Sequence, residues 1–102
     1  MLRRLALALA LASAVAGARA DAPQPSVVMY ATDWCGYCAK ARAYFAKNGI
    51  AYVERDVEKS EHAAAEFRRL GGRGVPLIFV GRERLDGFNE LAFEFAHARA
   101  AR

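Results

Sequence analysis

A chain of 102 residues, a quarter of them charged, has room for one small domain. Three of the cations behind its net charge of +4 (Arg3, Arg4 and Arg19) fall in the first 20 residues, leaving about +1 and no basic stripe for nucleic acid. Two cysteines are also too few for the disulfide framework of many small exported domains.

Residues 1–20 read as a secretory signal peptide rather than part of the fold. Arg3 and Arg4 give the basic start, Leu5 to Ala16 the short apolar run, and Ala18-Arg19-Ala20 a small-x-small cleavage site. A spanning helix needs about 20 apolar residues, and Arg19 cuts this run short. The expectation is cleavage after Ala20, a mature domain at 21–102, no membrane attachment afterwards, and a periplasmic or secreted location. The excess of Arg over Lys, with abundant Ala, points to a GC-rich bacterial genome.

Ser26 to Thr32 follows Pro23 and Pro25 as an apolar, β-branched run and predicts a strand. The pattern then turns helical from Gly36 to Asn48, with Cys38, Ala41 and Phe45 on the inward line. Asn48-Gly49 stops that helix, and Ile50 to Arg55 predicts the second strand of a right-handed βαβ unit. Ser60 is the N-cap of a second helix with Ala63, Phe67 and Leu70 inward, ended by Gly71-Gly72. Leu77 to Val80 is a buried strand, turned by Gly81-Arg82-Glu83 into a short partner strand, Arg84 to Asp86. The last helix runs from Asn89 to Arg99 with Leu91, Phe95 and Ala98 inward. The order is β-α-β-α-β-β-α, an α/β class.

The stretch Thr32-Asp33-Trp34-Cys35-Gly36-Tyr37-Cys38-Ala39-Lys40 holds both cysteines. Cys35 falls where the first strand ends and the first helix begins. The free N–H groups and dipole there stabilise an anion, so Cys35 is expected to be an exposed sulfur of lowered pKa. Cys38 lies one turn on, along the inward line, and is expected to be sheltered. One sulfur to attack and one to resolve suits disulfide exchange. Gly36 leaves the turn uncrowded, and Trp34 and Tyr37 offer flat apolar surface beside the sulfur.

Two other readings of the pair are weaker. A bridge across so short a loop restricts the unfolded chain by only about 2 kcal/mol and ties no distant elements together. Half a zinc site needs a second ligand pair, and His62 and His97 lie on separate predicted helices without motif spacing. Both histidines read as surface residues, and no metal is expected. Pro76 opens a buried strand, a place for a strand's first residue or a tight turn.

Over residues 26 to 99 the chain resembles a glutaredoxin, within the thioredoxin superfamily. The matching pieces are TDWCGYC after the first strand, GVP before the third, and LDGFNEL at the exit of the hairpin. The resemblance implies a four-stranded mixed sheet flanked by helices. It implies a cis bond between Val75 and Pro76, with their backbone beside the nucleophilic Cys35 and paired with a bound thiol substrate. The family's Gly-Gly-x-Asp-Asp segment, which holds the γ-glutamyl end of glutathione, aligns with Asp86 to Glu90 and assigns that role to Asn89 and Glu90. Trp34 and Tyr37 join them as substrate-binding candidates. Thr32 stands where many glutaredoxins have a lysine for a glutathione carboxylate. Cys-Gly-Tyr-Cys replaces the usual Cys-Pro-Tyr-Cys, a dipeptide also found in the periplasmic disulfide isomerase, and Trp34 is similar to the thioredoxin pattern.

The implied function is a monomeric thiol–disulfide oxidoreductase. Cys35 attacks disulfides of proteins or glutathione and Cys38 resolves the intermediate, with glutathione a co-substrate and no cofactor permanently bound. The alternatives are a glutathione-dependent iron–sulfur carrier, a thioredoxin-like exported reductase or isomerase independent of glutathione, and a redox-silent interaction domain.

Overall fold

The computed structural model describes residues 24–102, so the signal-peptide reading of 1–20 and its cleavage point lie outside the described residues. The elements follow the expected order: β1 (Val27–Ala31), α1 (Gly36–Lys47), β2 (Val53–Asp56), α2 (Glu61–Arg69), β3 (Leu77–Val80), β4 (Glu83–Asp86) and α3 (Glu90–Ala100). The strands form one mixed sheet in the order β2-β1-β3-β4. β1 runs parallel to β2, with Val28 opposite Val53, and antiparallel to β3, with Met29 opposite Ile78. β4 completes the sheet antiparallel to β3. Apolar β1 and β3 take the centre, while β2 carries Glu54, Arg55 and Asp56 on an edge, where charge discourages further strand pairing.

Alternation along the central strands separates two faces. Val27, Met29, Ala31, Ile78 and Val80 share a core with Cys38, Ala41 and Phe45 of α1 and with Phe93 and Ala96 of α3. The opposite face presents Tyr30, whose ring meets Phe67 of α2 at 6.1 Å and Phe79 at 6.5 Å. Its hydroxyl donates to Glu66 of α2 at 2.8 Å.

Three expectations are corrected. The second strand starts at Val53 rather than Ile50, because residues 48–50 close α1. Gly49, at φ 65, lets its N–H reach the Ala46 carbonyl (3.4 Å) and lets the Ile50 N–H reach that of Phe45 (2.9 Å). Leu70 is exposed rather than inward, since α2 has already ended and Leu70 is its C-cap. The inward line of α3 is Phe93 and Ala96; Leu91, Phe95 and Ala98 face away.

That last difference has a local cause. α3 is apolar on both sides, so helical spacing fits two lines equally. The entry to the helix decides between them. Asn89 is the N-cap, its Oδ1 accepting the Ala92 N–H at 2.9 Å. Phe88 before it packs with Phe93, ring centroids 6.5 Å apart, an apolar pair clamping the helix start. The pattern Phe88-Asn89-x-x-x-Phe93 was present in the sequence and marks the buried face.

Candidate functional site

α1 begins with the sulfur chemistry built into its cap. Cys35 is the N-cap, extended at φ −76 and ψ 118, and its Sγ accepts the Cys38 N–H at 3.1 Å. An acceptor at this point satisfies one of the donors a helix start leaves unpaired. Across the site the Cys35 thiol donates to the Val75 carbonyl at 3.6 Å. Both cysteines are free thiols. Cys35 is 6% exposed and Cys38 0%, so the expected exposed sulfur is instead largely enclosed, though it keeps the only opening of the pair. The enclosure comes from the loop that carries Val75, which lies far from Cys35 in sequence. Burial, and then the hydrogen bond with Cys35, push the Cys38 thiol up to about 12. It is therefore a protonated thiol at neutral pH.

The Val75–Pro76 bond is cis, and Pro76 is buried. The Gly87 N–H donates to the Pro76 carbonyl at 2.9 Å, with Gly87 at φ 101, where a side chain would be strained. This bond fixes the exit of β4 to the loop facing Cys35. Tyr37, Val75, Pro76, Phe88 and Asn89 thereby line one groove beside the dithiol. Glu90 lines a neighbouring cleft between α1 and α3, with Lys40, Lys47 and Glu94. Trp34 lines neither; it is 70% exposed and its indole N–H donates to both Glu58 oxygens at 3.0 and 3.1 Å. The expected substrate residues thus divide into a groove set, Glu90 in the neighbouring cleft, and an outlying tryptophan.

The loop before Cys35 is held from outside the motif. Arg42 of α1 forks onto Glu54 of β2, Nη2 2.7 Å from Oε2 and Nε 2.9 Å from Oε1. The same Nη2 donates to the Thr32 carbonyl at 3.0 Å. Arg42 holds the Glu54 carboxyl below its ordinary value. Planar bidentate pairing of this kind fixes orientation as well as distance. Asp33 pairs with Lys59 at 2.6 Å. Arg42, Glu54 and Glu58 escaped the sequence reading, because their partners sit on other elements and no local spacing marks them.

Thr32 itself is 2% exposed, and its hydroxyl has no hydrogen-bond partner among the described residues. It forms part of the buried wall. His62 is exposed as expected, whereas His97 is half-buried and stacks on Phe93 at 5.4 Å. Among the described residues no group of three or more His, Cys, Asp or Glu is placed to hold a metal ion. Nor is any of their helices long and apolar enough to cross a membrane.

Comparison with known proteins agrees with this geometry. The glutaredoxin family model matches residues 27–85. A glutaredoxin of Neisseria meningitidis serogroup B is 37% identical over 68 residues, covering 65% of this chain and 80% of that protein. The crystal structure of a glutaredoxin from Archaeoglobus fulgidus superposes with a TM-score of 0.62 at 19% identity, over 71% of this chain and 85% of the other, a likeness of fold. A buckwheat glutaredoxin solved as its glutathione complex superposes with a TM-score of 0.52 at 26% identity, over 63% of this chain and 61% of that one.

Proposed function

The chain belongs to the glutaredoxin family and is a thiol–disulfide oxidoreductase, and from that premise we propose that Cys35 and Cys38 are its redox couple, with glutathione as co-substrate. The observation that carries the proposal is the Cys35 sulfur capping α1 while it faces the Val75 carbonyl, with Cys38 sealed one turn on. Cys35, as thiolate, attacks one sulfur of a substrate disulfide, and the other sulfur leaves as a thiol after taking a proton. Cys38 then gives up its proton and attacks the Cys35 sulfur of the mixed disulfide. The second substrate thiol is released, and the electron pair of the dithiol has passed to the substrate. Reduction by two glutathione molecules returns the protein to the dithiol.

The groove lined by Tyr37, Val75, Pro76 and Asn89 supports glutathione as that partner. It opens beside Cys35 and ends at the first turn of α3, where free backbone N–H groups favour a carboxylate. Glu90, at the same turn, suits the ammonium of a zwitterionic γ-glutamyl end. Titrating the reduced protein with glutathione to millimolar concentration is expected to shift the backbone amide NMR signals of Val75, Asn89 and Glu90. Unmoved signals at all three remove glutathione from the proposal and leave the dithiol exchange standing.

We propose further that the protein acts after export, on the strength of the basic, apolar and small-x-small order of residues 1–20. N-terminal sequencing of the native protein is expected to begin at Asp21. Protein beginning at Met1 in a cytosolic fraction would refute export.

A further inference from the structure

Residues 72–75 form the loop whose Val75 carbonyl faces Cys35, and Gly72 and Gly74 are half of it. Glycine has more backbone freedom to lose than any other residue, so such a loop keeps one shape only if other segments hold it. Little packs along it. A side chain begun at Gly74 would meet no atom within 4 Å, and the same is true at Gly71 just before the loop. The holding is therefore done at the two ends.

At the far end the Gly87 N–H, just past β4, donates to the Pro76 carbonyl at 2.9 Å. At the near end α2 closes on itself, with the Gly71 N–H on the Arg68 carbonyl at 2.9 Å and the Gly72 N–H on the Phe67 carbonyl at 2.8 Å. That closure leaves the carbonyls of Leu70 and Gly71 outside the helix ladder. Arg84 of β4 takes both, Nη1 donating to Leu70 and Nη2 to Gly71 at 3.2 Å. Asp86, on the same face of the same strand, orients the guanidinium; its oxygens accept from Nε and Nη2, each at 3.1 Å. The Phe79 ring backs it, with the guanidinium carbon 5.8 Å from the centroid. Both ends of the Val75 loop are thus tied to β4 and its exit.

We propose that Arg84 is a positioning residue for substrate recognition: its fork onto the end of α2 holds the Val75 backbone where it can pair with the peptide groups of a bound disulfide. The proposal rests on the dithiol and glutathione readings above and adds to them a residue on the far side of the loop from Cys35. With the near end released, the Cys35 sulfur still attacks, but the loop no longer offers a fixed edge to a peptide. Reaching two carbonyls and a carboxylate at once needs the planar fork of arginine. A lysine ammonium keeps the charge and loses that span.

The test is a single-turnover reaction of the reduced full chain with two oxidants: glutathione disulfide, which carries peptide groups, and hydroxyethyl disulfide, which carries none. Arg84→Ala is expected to slow the glutathione disulfide reaction about three- to tenfold, the range of one modest hydrogen bond, and to leave the hydroxyethyl disulfide reaction unchanged. Arg84→Lys keeps charge and apolar stem, so it carries the same test should Arg84→Ala not fold, and it is expected to show the same selective loss. Arg82→Ala removes an exposed arginine of the adjoining turn and is expected to keep both rates. An equal loss with both oxidants, an unchanged glutathione disulfide rate, an Arg84→Lys protein as fast as wild type, or an Arg82→Ala protein as slow as Arg84→Ala overturns the assignment. A wild-type protein that reduces only hydroxyethyl disulfide overturns the glutathione reading, and one that reduces neither overturns the dithiol reading; the assignment falls with either.

Discussion

Cys35→Ser is expected to abolish disulfide exchange, while Cys38→Ser is expected to retain the first attack and accumulate a covalent mixed disulfide. The two cysteines occupy different environments a single helical turn apart. The Cys35 sulfur caps α1, accepts the Cys38 N–H at 3.1 Å, and has the only opening to solvent of the pair. The sulfur that meets solvent is the one a substrate disulfide can reach. Cys38 is fully enclosed, and burial pushes its thiol up to about 12. At pH 7.5 it is protonated and out of reach, so it acts only after a mixed disulfide forms beside it. Brief alkylation of the reduced protein with iodoacetamide at that pH is expected to mark Cys35 and spare Cys38, as read by peptide mass spectrometry. The Cys38→Ser protein with glutathione disulfide is expected to gain the mass of one glutathione. Trapping by Cys35→Ser and inertness of Cys38→Ser would reverse the two roles.

Phe45→Ala is expected to destabilise the fold by about 3–5 kcal/mol, the usual cost of removing a fully buried phenylalanine. Phe45 is 0% exposed, and its ring lies 4.6 Å from Tyr52, 5.1 Å from Phe93 and 6.2 Å from Phe88. It is the point where α1, the approach to β2 and the start of α3 meet. None of these neighbours can fill the space without giving up its own packing. Small domains are stable by only about 5–15 kcal/mol, so such a loss consumes much of the margin. The melting temperature is expected to fall by about 15 °C or more, given roughly 4–8 °C per kcal/mol for a domain of this size. Thermal unfolding followed by circular dichroism checks it; a fall of less than about 5 °C would mean that the aromatic cluster is not the centre of the core. The same residue bears on the site, because Phe45 and Cys38 share the inward line of α1. Loosening one end of that line exposes the sulfur at the other, so iodoacetamide is expected to reach Cys38 in this variant.

The sequence by itself determined the parts of this protein that depend on neighbours along the chain. The order of strands and helices follows from apolar runs and from stop signals such as Asn48-Gly49 and Gly71-Gly72. The cap at Ser60 follows from a side chain that reaches the backbone N–H three residues on. The dithiol at the start of α1 was visible for the same reason, since strand end, Cys35 and Cys38 are consecutive. The resemblance carried by GVP and LDGFNEL added the loop at Val75 and the helix start at Asn89, which the fold does bring into one groove.

Tertiary structure decided what depends on approach from elsewhere. Cys35 is enclosed because the Val75 loop comes to rest against it, and nothing in the nine residues around the cysteines announces that. Trp34 leaves the groove because Glu58, 24 residues away, holds its indole. Arg42 braces the loop before Cys35 through Glu54 and the Thr32 carbonyl, partners on two other segments. Thr32 is a wall residue because the surrounding segments leave it only 2% exposed. The face of α3 was undecided by periodicity, since both Leu91-Phe95 and Phe93-Ala96 fit a helix. The local clamp of Phe88 on Phe93 marks the second pair, and packing of these rings on Tyr44 and Phe45 of α1 turns it inward. Local pattern fixes which atoms a residue offers, while exposure, orientation and charge state are set by what other segments press against it.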